Sequence, residues 1–334
     1  MVDRQLQVAV LGAGGAAQVV HLPILARLPG VQIVGIADPD GRKAQTIGER
    51  FGIERVAENL VGITSGVELD AVLICTPNGE HEQGVIHALE LGAHVLCERP
   101  LTVSSQAAQR LVDAAESAGR QLMVANNHRF QHDFRLMRQF VASGELGDVF
   151  FVRSSWLNRR SQRPRRGWRT DPKYAGGGVL MDLGAQALDM ALWSLGYPVI
   201  QRASAHLHGD AGAESSAFIH LSTKTGATID VEVTWELIHD RDVHELTIIG
   251  SGGSAESAPL RVHRRVETGI VDVTPPVKRA PSALYRDSYR QEWAHFLRIV
   301  RGEIPIESER SQVSLFEILE ACYRSADTGS EISL

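Results

Sequence analysis

The chain has 334 residues, with 34 Lys plus Arg against 40 Asp plus Glu, a formal charge of −6 with histidine neutral. That acidity argues against nucleic acid as a partner, because neutralising phosphates takes a basic excess. With 43% hydrophobic and 22% charged residues, disorder is excluded as the main state and there is apolar material for two packed cores.

The amino terminus, Met1-Val2-Asp3-Arg4-Gln5, runs directly into a strand pattern without a secretory leader. No run approaches the roughly twenty apolar residues that span a bilayer, so neither a membrane partner nor a location outside the cytoplasm is expected. Cys75, Cys97 and Cys322 are an odd, sparse set that reads as reduced thiols. From Leu6 to Ala125, near-continuously apolar runs at 6–11, 31–38, 70–76, 93–98 and 121–126 alternate with helical patterns at 40–51, 79–91 and 104–118. Gly52, Gly92 and Gly119 follow those helices as cap residues. Strands buried on both faces and alternating with helices predict a doubly wound parallel sheet, an α/β Rossmann domain over residues 1–126.

After about residue 127 the pattern changes. A long helix is expected over Val179–Leu195, then an antiparallel hairpin over 217–237, strands at 244–250 and 260–267, and helices near 285–301 and 310–326. The region 127–334 thus reads as an α+β domain on an open, mostly antiparallel sheet.

Gly12-Ala13-Gly14-Gly15-Ala16-Ala17 lies between the first strand and a helix, giving G-x-G-x-x-A in its strand, turn, helix context. The glycines permit a tight turn and close backbone approach, and the helix start offers N–H groups to a pyrophosphate. Asp38, 24 residues after Gly14, is placed for a ribose diol. No arginine adjoins it, which favours NAD, while Arg42 and Lys43 keep NADP possible. Thr76-Pro77-Asn78 with His81, and Glu98-Arg99-Pro100, follow the strands at 70–76 and 93–98, at the carboxyl edge where such sheets bind ligands. Pro77 and Pro100 read equally as strand terminators, and His81 as a residue that bonds its own loop.

These segments, with Asn127-His128-Arg129-Phe130, Gly167-Trp168-Arg169, the run Gly176-Gly177-Gly178-Val179-Leu180-Met181-Asp182-Leu183-Gly184-Ala185-Gln186 and the terminal YRSADTG, resemble the glucose–fructose oxidoreductase, inositol dehydrogenase and MocA family over nearly the whole chain. The resemblance implies a nicotinamide-dependent oxidoreductase of sugars, polyols or their derivatives, with substrate held between the two domains. It further implies that the second domain's open sheet is covered by dimer or tetramer formation. It places Gly12, Gly14, Gly15, Ala16, Asp38, Thr76, Pro77, Asn78, His81, Glu98, Arg99, Asn127, Trp168 and Arg169 around the cofactor.

The chain departs from the family pattern at two positions. The family usually has Glu-Lys-Pro and D-x-G-x-H; Asp182 matches, but Arg99 and Gln186 replace the lysine and the histidine. Oxidising an alcohol by hydride transfer requires a group that takes the hydroxyl proton. Arginine stays protonated and glutamine does not titrate, so that route is lost. Arg99 can still polarise a carbonyl or clamp a carboxylate, and Asp182 and Gln186 project from one helical face. The remaining proton carriers near the site are His128 and Tyr174.

Between 151 and 181 eight basic residues face one acid, Asp171. This reads either as a solvated loop or as a lid that attracts an anionic substrate. No metal-binding spacing and no nucleophile elbow occurs. Two other readings stay open: a catalytically silent regulator that binds nucleotide and ligand, and an enzyme that uses tightly held NAD⁺ for transient oxidation.

Overall fold

A computed structural model describes residues 4–160, 167–210, 213–276 and 281–334. The chain forms two compact units, Met1–Thr102 with Gln106–Asn126 and Tyr289–Val313, and Val103–Ser105 with Asn127–Ser288 and Ser314–Leu334. A single cut after Asn126 therefore does not separate them. The helix Pro281–Val300 passes from the second unit into the first at Ser288, and its Trp293 and Phe296 are completely buried in the first. Apolar burial of this size, about 25 cal/mol per Å², commits the segment to the first core.

In the first unit, six strands run β1 (Leu6–Leu11), β2 (Val31–Ala37), β3 (Val56–Ala57), β4 (Ala71–Ile74), β5 (His94–Cys97) and β6 (Leu122–Val124). They pair in parallel in the order β3-β2-β1-β4-β5-β6. The expected doubly wound sheet is present, and its strand order reverses between β1 and β4, the switch point at which ligands bind. Val8, Ala9 and Val10, all of β4, and Val95 to Cys97 are fully buried, as strands covered on both faces must be. Gly52, Gly92 and Gly119 all have positive φ. The two residues of β3 are too few to show a period, and the sequence reading passed over them.

The second unit holds β7 (Val149–Arg159), β8 (Ile200–Asp210), β9 (Ala213–Thr223), β10 (Thr228–Leu237), β11 (Val243–Gly250), β12 (Gly253–Ser257), β13 (Leu260–Val266), β14 (Gly269–Asp272) and β15 (Ile332–Ser333). Their order is β14-β13-β12-β11-β7-β10-β9-β8-β15. The sheet is mixed and mostly antiparallel; the parallel pair is β7 with β10. The expected hairpin is β9 with β10. One face buries Val152, Trp156, Ile219, Leu221, Val231, Val233, Leu246 and Ile248. The helix Ala185–Ser194 packs on that side, buried at every position but Trp193. The other face carries the pairs Arg153–Glu232 at 2.8 Å and His220–Asp230 at 2.7 Å, with Phe218 exposed beside them.

Candidate functional site

The turn after β1 is built by contact with β4. Gly12 has φ +98°, and a Cβ there would lie 2.5 Å from the Cys75 carbonyl carbon and 2.8 Å from the Thr76 nitrogen. A Cβ on Gly15 would meet nothing within 4 Å, so the side of the turn away from β4 is open. Beside it, Thr76 Oγ1 is buried without a hydrogen-bond partner among the described residues. A tight glycine turn, an open backbone and an orphaned hydroxyl at the switch point fit a nucleotide pyrophosphate.

Asp38, nearly buried after β2, already takes three donors. Its Oδ2 accepts the Ala13 N–H at 2.8 Å and pairs with Lys43 Nζ at 2.8 Å; its Oδ1 accepts the Asp40 N–H at 2.9 Å. A carboxylate has about four acceptor positions, so one remains for a ribose hydroxyl. The carboxylate ties the glycine turn to β2 as well as facing the ligand edge, and Lys43 stands directly on it.

At the β4 and β5 exits, His81 sets its two ring nitrogens 2.9 Å from the carbonyl oxygens of Thr76 and Pro100. It thereby links both candidate loops; a neutral ring donates to one of these carbonyls at a time. Burial lowers its pKa, against the two carbonyls and Glu98, which raise it. Glu98 is held from behind. The Trp293 indole N–H donates to His21 Nδ1 at 3.0 Å, so the ring carries its proton on Nε2 and gives it to Glu98 Oε1 at 2.8 Å. Glu98 Oε2 accepts the Arg99 N–H at 3.1 Å. Burial pushes the Glu98 carboxyl up, but the His21 hydrogen bond and the neighbouring Arg99 bring it down to about 2. The sequence reading missed His21 and Trp293; the histidine four residues past the motif was the available signal, and its partner lies 272 residues away.

In the second unit, Asn127 is fully buried. Its Nδ2 donates to Ser288 Oγ at 3.0 Å, while Oδ1 has no hydrogen-bond partner among the described residues. His128 sits among Phe134, Trp156 and Tyr285, its ring 4.5 Å from that of Trp156. It lines a cavity of about 1340 Å³ with His244, Arg241, Arg261, Asp133 and Tyr285.

The expected long helix begins with a wide turn, Leu180–Gly184, in which the Ala185 N–H reaches back five residues to the Leu180 carbonyl. Such turns recur at functional sites. Asp182 lies in this turn and is half-buried; Gln186 is buried, and its Nε2 donates to the Asp182 backbone carbonyl at 3.0 Å. Asp189, one turn further on, is structural, accepting Arg129 Nε at 2.8 Å and the Tyr197 hydroxyl.

Part of the basic cluster is neutralised. Arg153, Arg159 and Arg160 pair with Glu232, Asp242 and Glu236. Trp168 and Arg169 form a short turn with the guanidinium 4.4 Å from the indole centroid. Arg163, Arg165 and Arg166 lie outside the described residues. Among the described residues no group of three or more His, Cys, Asp or Glu side chains could hold a metal ion, and no helix is long and apolar enough to cross a membrane.

The strand order, the glycine turn and the carboxyl-edge residues define a dinucleotide-binding protein of the Rossmann type with an added mixed-sheet unit. The family model described as "Oxidoreductase family, NAD-binding Rossmann fold" matches residues 6–126, and the GFO/IDH/MocA C-terminal domain matches 134–256. The chain belongs to this Gfo/Idh/MocA family of NAD-binding oxidoreductases. It is 31% identical to D-xylose 1-dehydrogenase (NADP(+)) 2 of Haloferax volcanii over 91% of this chain and 92% of that one. It is 26% identical to D-glucoside 3-dehydrogenase of Escherichia coli over 100% and 99%. The crystal structure of GenD2 from gentamicin A biosynthesis, in complex with NAD, superposes with a TM-score of 0.85 at 25% identity, covering 99% of this chain and 97% of that one.

Proposed function

We propose that the protein is an NAD(P)-dependent dehydrogenase or reductase acting on a CH–OH group of a sugar, polyol or sugar acid. Residues 1–126 would hold the cofactor, and 127–334 the substrate and a second copy of the chain. The observation that carries the reading is the turn at Gly12–Ala16, closed against β4 on one side and open at Gly15 on the other, with Thr76 Oγ1 left to be satisfied.

The residues proposed to hold the cofactor are Gly12, Gly14, Gly15, Ala16, Asp38, Thr76, Pro77, Asn78, His81, Glu98, Arg99, Asn127, Trp168 and Arg169. Bound nicotinamide supplies the hydride acceptor or donor. Oxidising CH–OH to C=O releases one hydride and one proton, and the protein must take the second. Arg99 and Asp182 orient the substrate hydroxyl and its carbonyl product. Gln186, turned back onto the Asp182 carbonyl, fixes the geometry rather than moving a proton. His128 or a water relays the proton. Arg153, Arg159 and Arg160 are already paired with carboxylates, and Arg99 would clamp the carboxylate of an anionic substrate. The exposed Phe218 on the outer sheet face supports self-association into a dimer or tetramer, and three unpaired thiols fit a cytoplasmic location.

NADH and NADPH fluorescence titrations, followed by a panel of sugars, polyols and sugar acids assayed in both directions, test the reading. Binding of neither nucleotide refutes it. Binding with no turnover, and turnover gained on changing Arg99→Lys with Gln186→His, would instead favour the regulator that the two non-titrating side chains allow. In an active wild type, His128→Phe lowers the rate if His128 relays the proton; an unchanged rate rules that relay out.

A further inference from the structure

Two motifs in the chain, Gly176-Gly177-Gly178 and the terminal YRSADTG, meet at one carboxylate that the sequence did not single out. Glu214, near the start of β9, is 2% exposed. Its Oε1 accepts the Gly178 N–H at 2.9 Å, the Leu180 N–H at 3.1 Å and the Tyr323 hydroxyl at 2.9 Å. All three partners donate, so this oxygen acts only as an acceptor. The first N–H groups of a helix have no partner of their own and carry its positive end. A buried carboxylate that takes two of them fixes where the helix starts and how it is turned.

The glycines are what let Glu214 approach. A Cβ on Gly178 would collide with the Glu214 backbone, lying 2.6 Å from its nitrogen. A Cβ on Gly177 would collide with the Tyr323 hydroxyl, and one on Gly176 would come within 2.7 Å of Val103. Tyr323 remains a donor, because burial and then the nearby Glu214 raise its pKa. Glu214 Oε2 is buried and has no hydrogen-bond partner among the described residues, so the whole anchorage runs through Oε1. Two residues past the Leu180 N–H lies Asp182, whose own N–H donates to the Gly178 carbonyl at 3.1 Å. The wide turn and Gln186 follow. Any displacement of Gly178 is passed directly to both side chains.

We propose that Glu214 is a positioning residue for the reaction, setting through Gly178 and Leu180 the place of Asp182 and Gln186, with Tyr323 holding Glu214 in turn. The inference rests on the dehydrogenase reading above. It goes beyond that reading in assigning a function to a residue that touches neither substrate nor cofactor.

The test uses the full chain with Glu214→Ala, Glu214→Gln and Tyr323→Phe, assayed well below the lowest melting temperature on a substrate the wild type turns over. Misplacing a reacting group by about 1 Å can cost roughly a hundredfold in rate, so Glu214→Ala is expected to lower kcat by that order. The NADH dissociation constant should stay within about twofold, since Glu214 and its partners Gly178, Leu180 and Tyr323 are not among the residues proposed to hold the cofactor. Glu214→Gln keeps an acceptor oxygen for the same donors and should recover most of kcat, and Tyr323→Phe should fall between. Hydrogen exchange at the Gly178 and Leu180 amides should quicken in Glu214→Ala. Should Glu214→Ala fail to fold, Glu214→Gln and Tyr323→Phe carry the test, and wild-type kcat in Tyr323→Phe overturns the inference. A folded Glu214→Ala with unchanged kcat, or equal losses in Glu214→Ala and Glu214→Gln, also overturns it. A wild type that binds NADH but turns over nothing overturns the dehydrogenase reading and this inference together; an active wild type with unaffected variants overturns this inference alone.

Discussion

Replacing His21 with leucine would show how much the Glu98-Arg99-Pro100 segment depends on the side chains behind it. The substitution keeps an apolar body of similar size but removes both ring nitrogens from a fully buried site. Two partners are stranded, the Trp293 indole N–H and Glu98 Oε1. Each buried group left unsatisfied costs about 1–3 kcal/mol, and more when charged, giving a loss of about 3–5 kcal/mol. Against a total of roughly 5–15 kcal/mol, that is a large share of the stability. Urea unfolding followed by tryptophan fluorescence measures it. His21→Gln is the control, because its amide can accept from the indole and donate to Glu98. The acid limb gives a second readout. The folded Glu98 carboxyl is depressed from 4.5 to about 2, so its contribution is full above 4.5 and is lost as the pH falls toward 2. In His21→Leu burial is no longer offset by the ring N–H, the folded carboxyl rises from its depressed value, and the stability lost between pH 4.5 and 2 shrinks. A stability change below about 1 kcal/mol, with an unaltered acid limb, would refute the network as described.

Gly12→Ala should destabilise the chain by at least about 2 kcal/mol and weaken NADH binding, because the new Cβ meets the Cys75 backbone at φ +98°. Thermal melts and nucleotide titration report it, and a normal melt would contradict the turn geometry. Gly15→Ala meets nothing within 4 Å and should fold as the wild type does; if it also binds NADH normally, the open space is not where the nucleotide lies. Lys43→Met removes the cation from Asp38 and should lower NADPH affinity by about tenfold relative to NADH. Fluorescence titration gives the ratio, and an unchanged ratio would remove Lys43 from cofactor discrimination.

The parallel sheet of the first unit was legible because its signals are local. Near-continuous apolar strands, helical segments and the glycine motif each lie within about fifteen residues, and burial on both faces forces that pattern on parallel strands. The hairpin of β9 and β10 was equally clear, with alternating faces about a Thr-Gly turn. β7 was not singled out, although it pairs with both β10 and β11: Arg153, Ser154 and Ser155 interrupt its apolar pattern, and its outward arginine is balanced by Glu232 of a strand some eighty residues later. Asp189 lies one turn on from Gln186, but a spacing does not say which side of a buried helix a residue occupies, and Arg129 and Tyr197 claim it.

What the sequence determined by itself is the kind of chemistry available. The glycine turn, Asp38, and the presence of Arg99 and Gln186, neither of which exchanges a proton near neutral pH, are matters of residue type and short spacing. Tertiary structure alone decided which charges act and which side chains hold the site. The +7 excess between 151 and 181 is drawn down by carboxylates on β10 and on the segment before β11. Lys43 stands on Asp38, Trp293 orients His21, and Glu214 takes the start of the helix that carries Asp182. The physical reason is the same in each case. A buried hydrogen bond or ion pair depends on two groups meeting across the fold, and nothing in the local pattern of either one records the other.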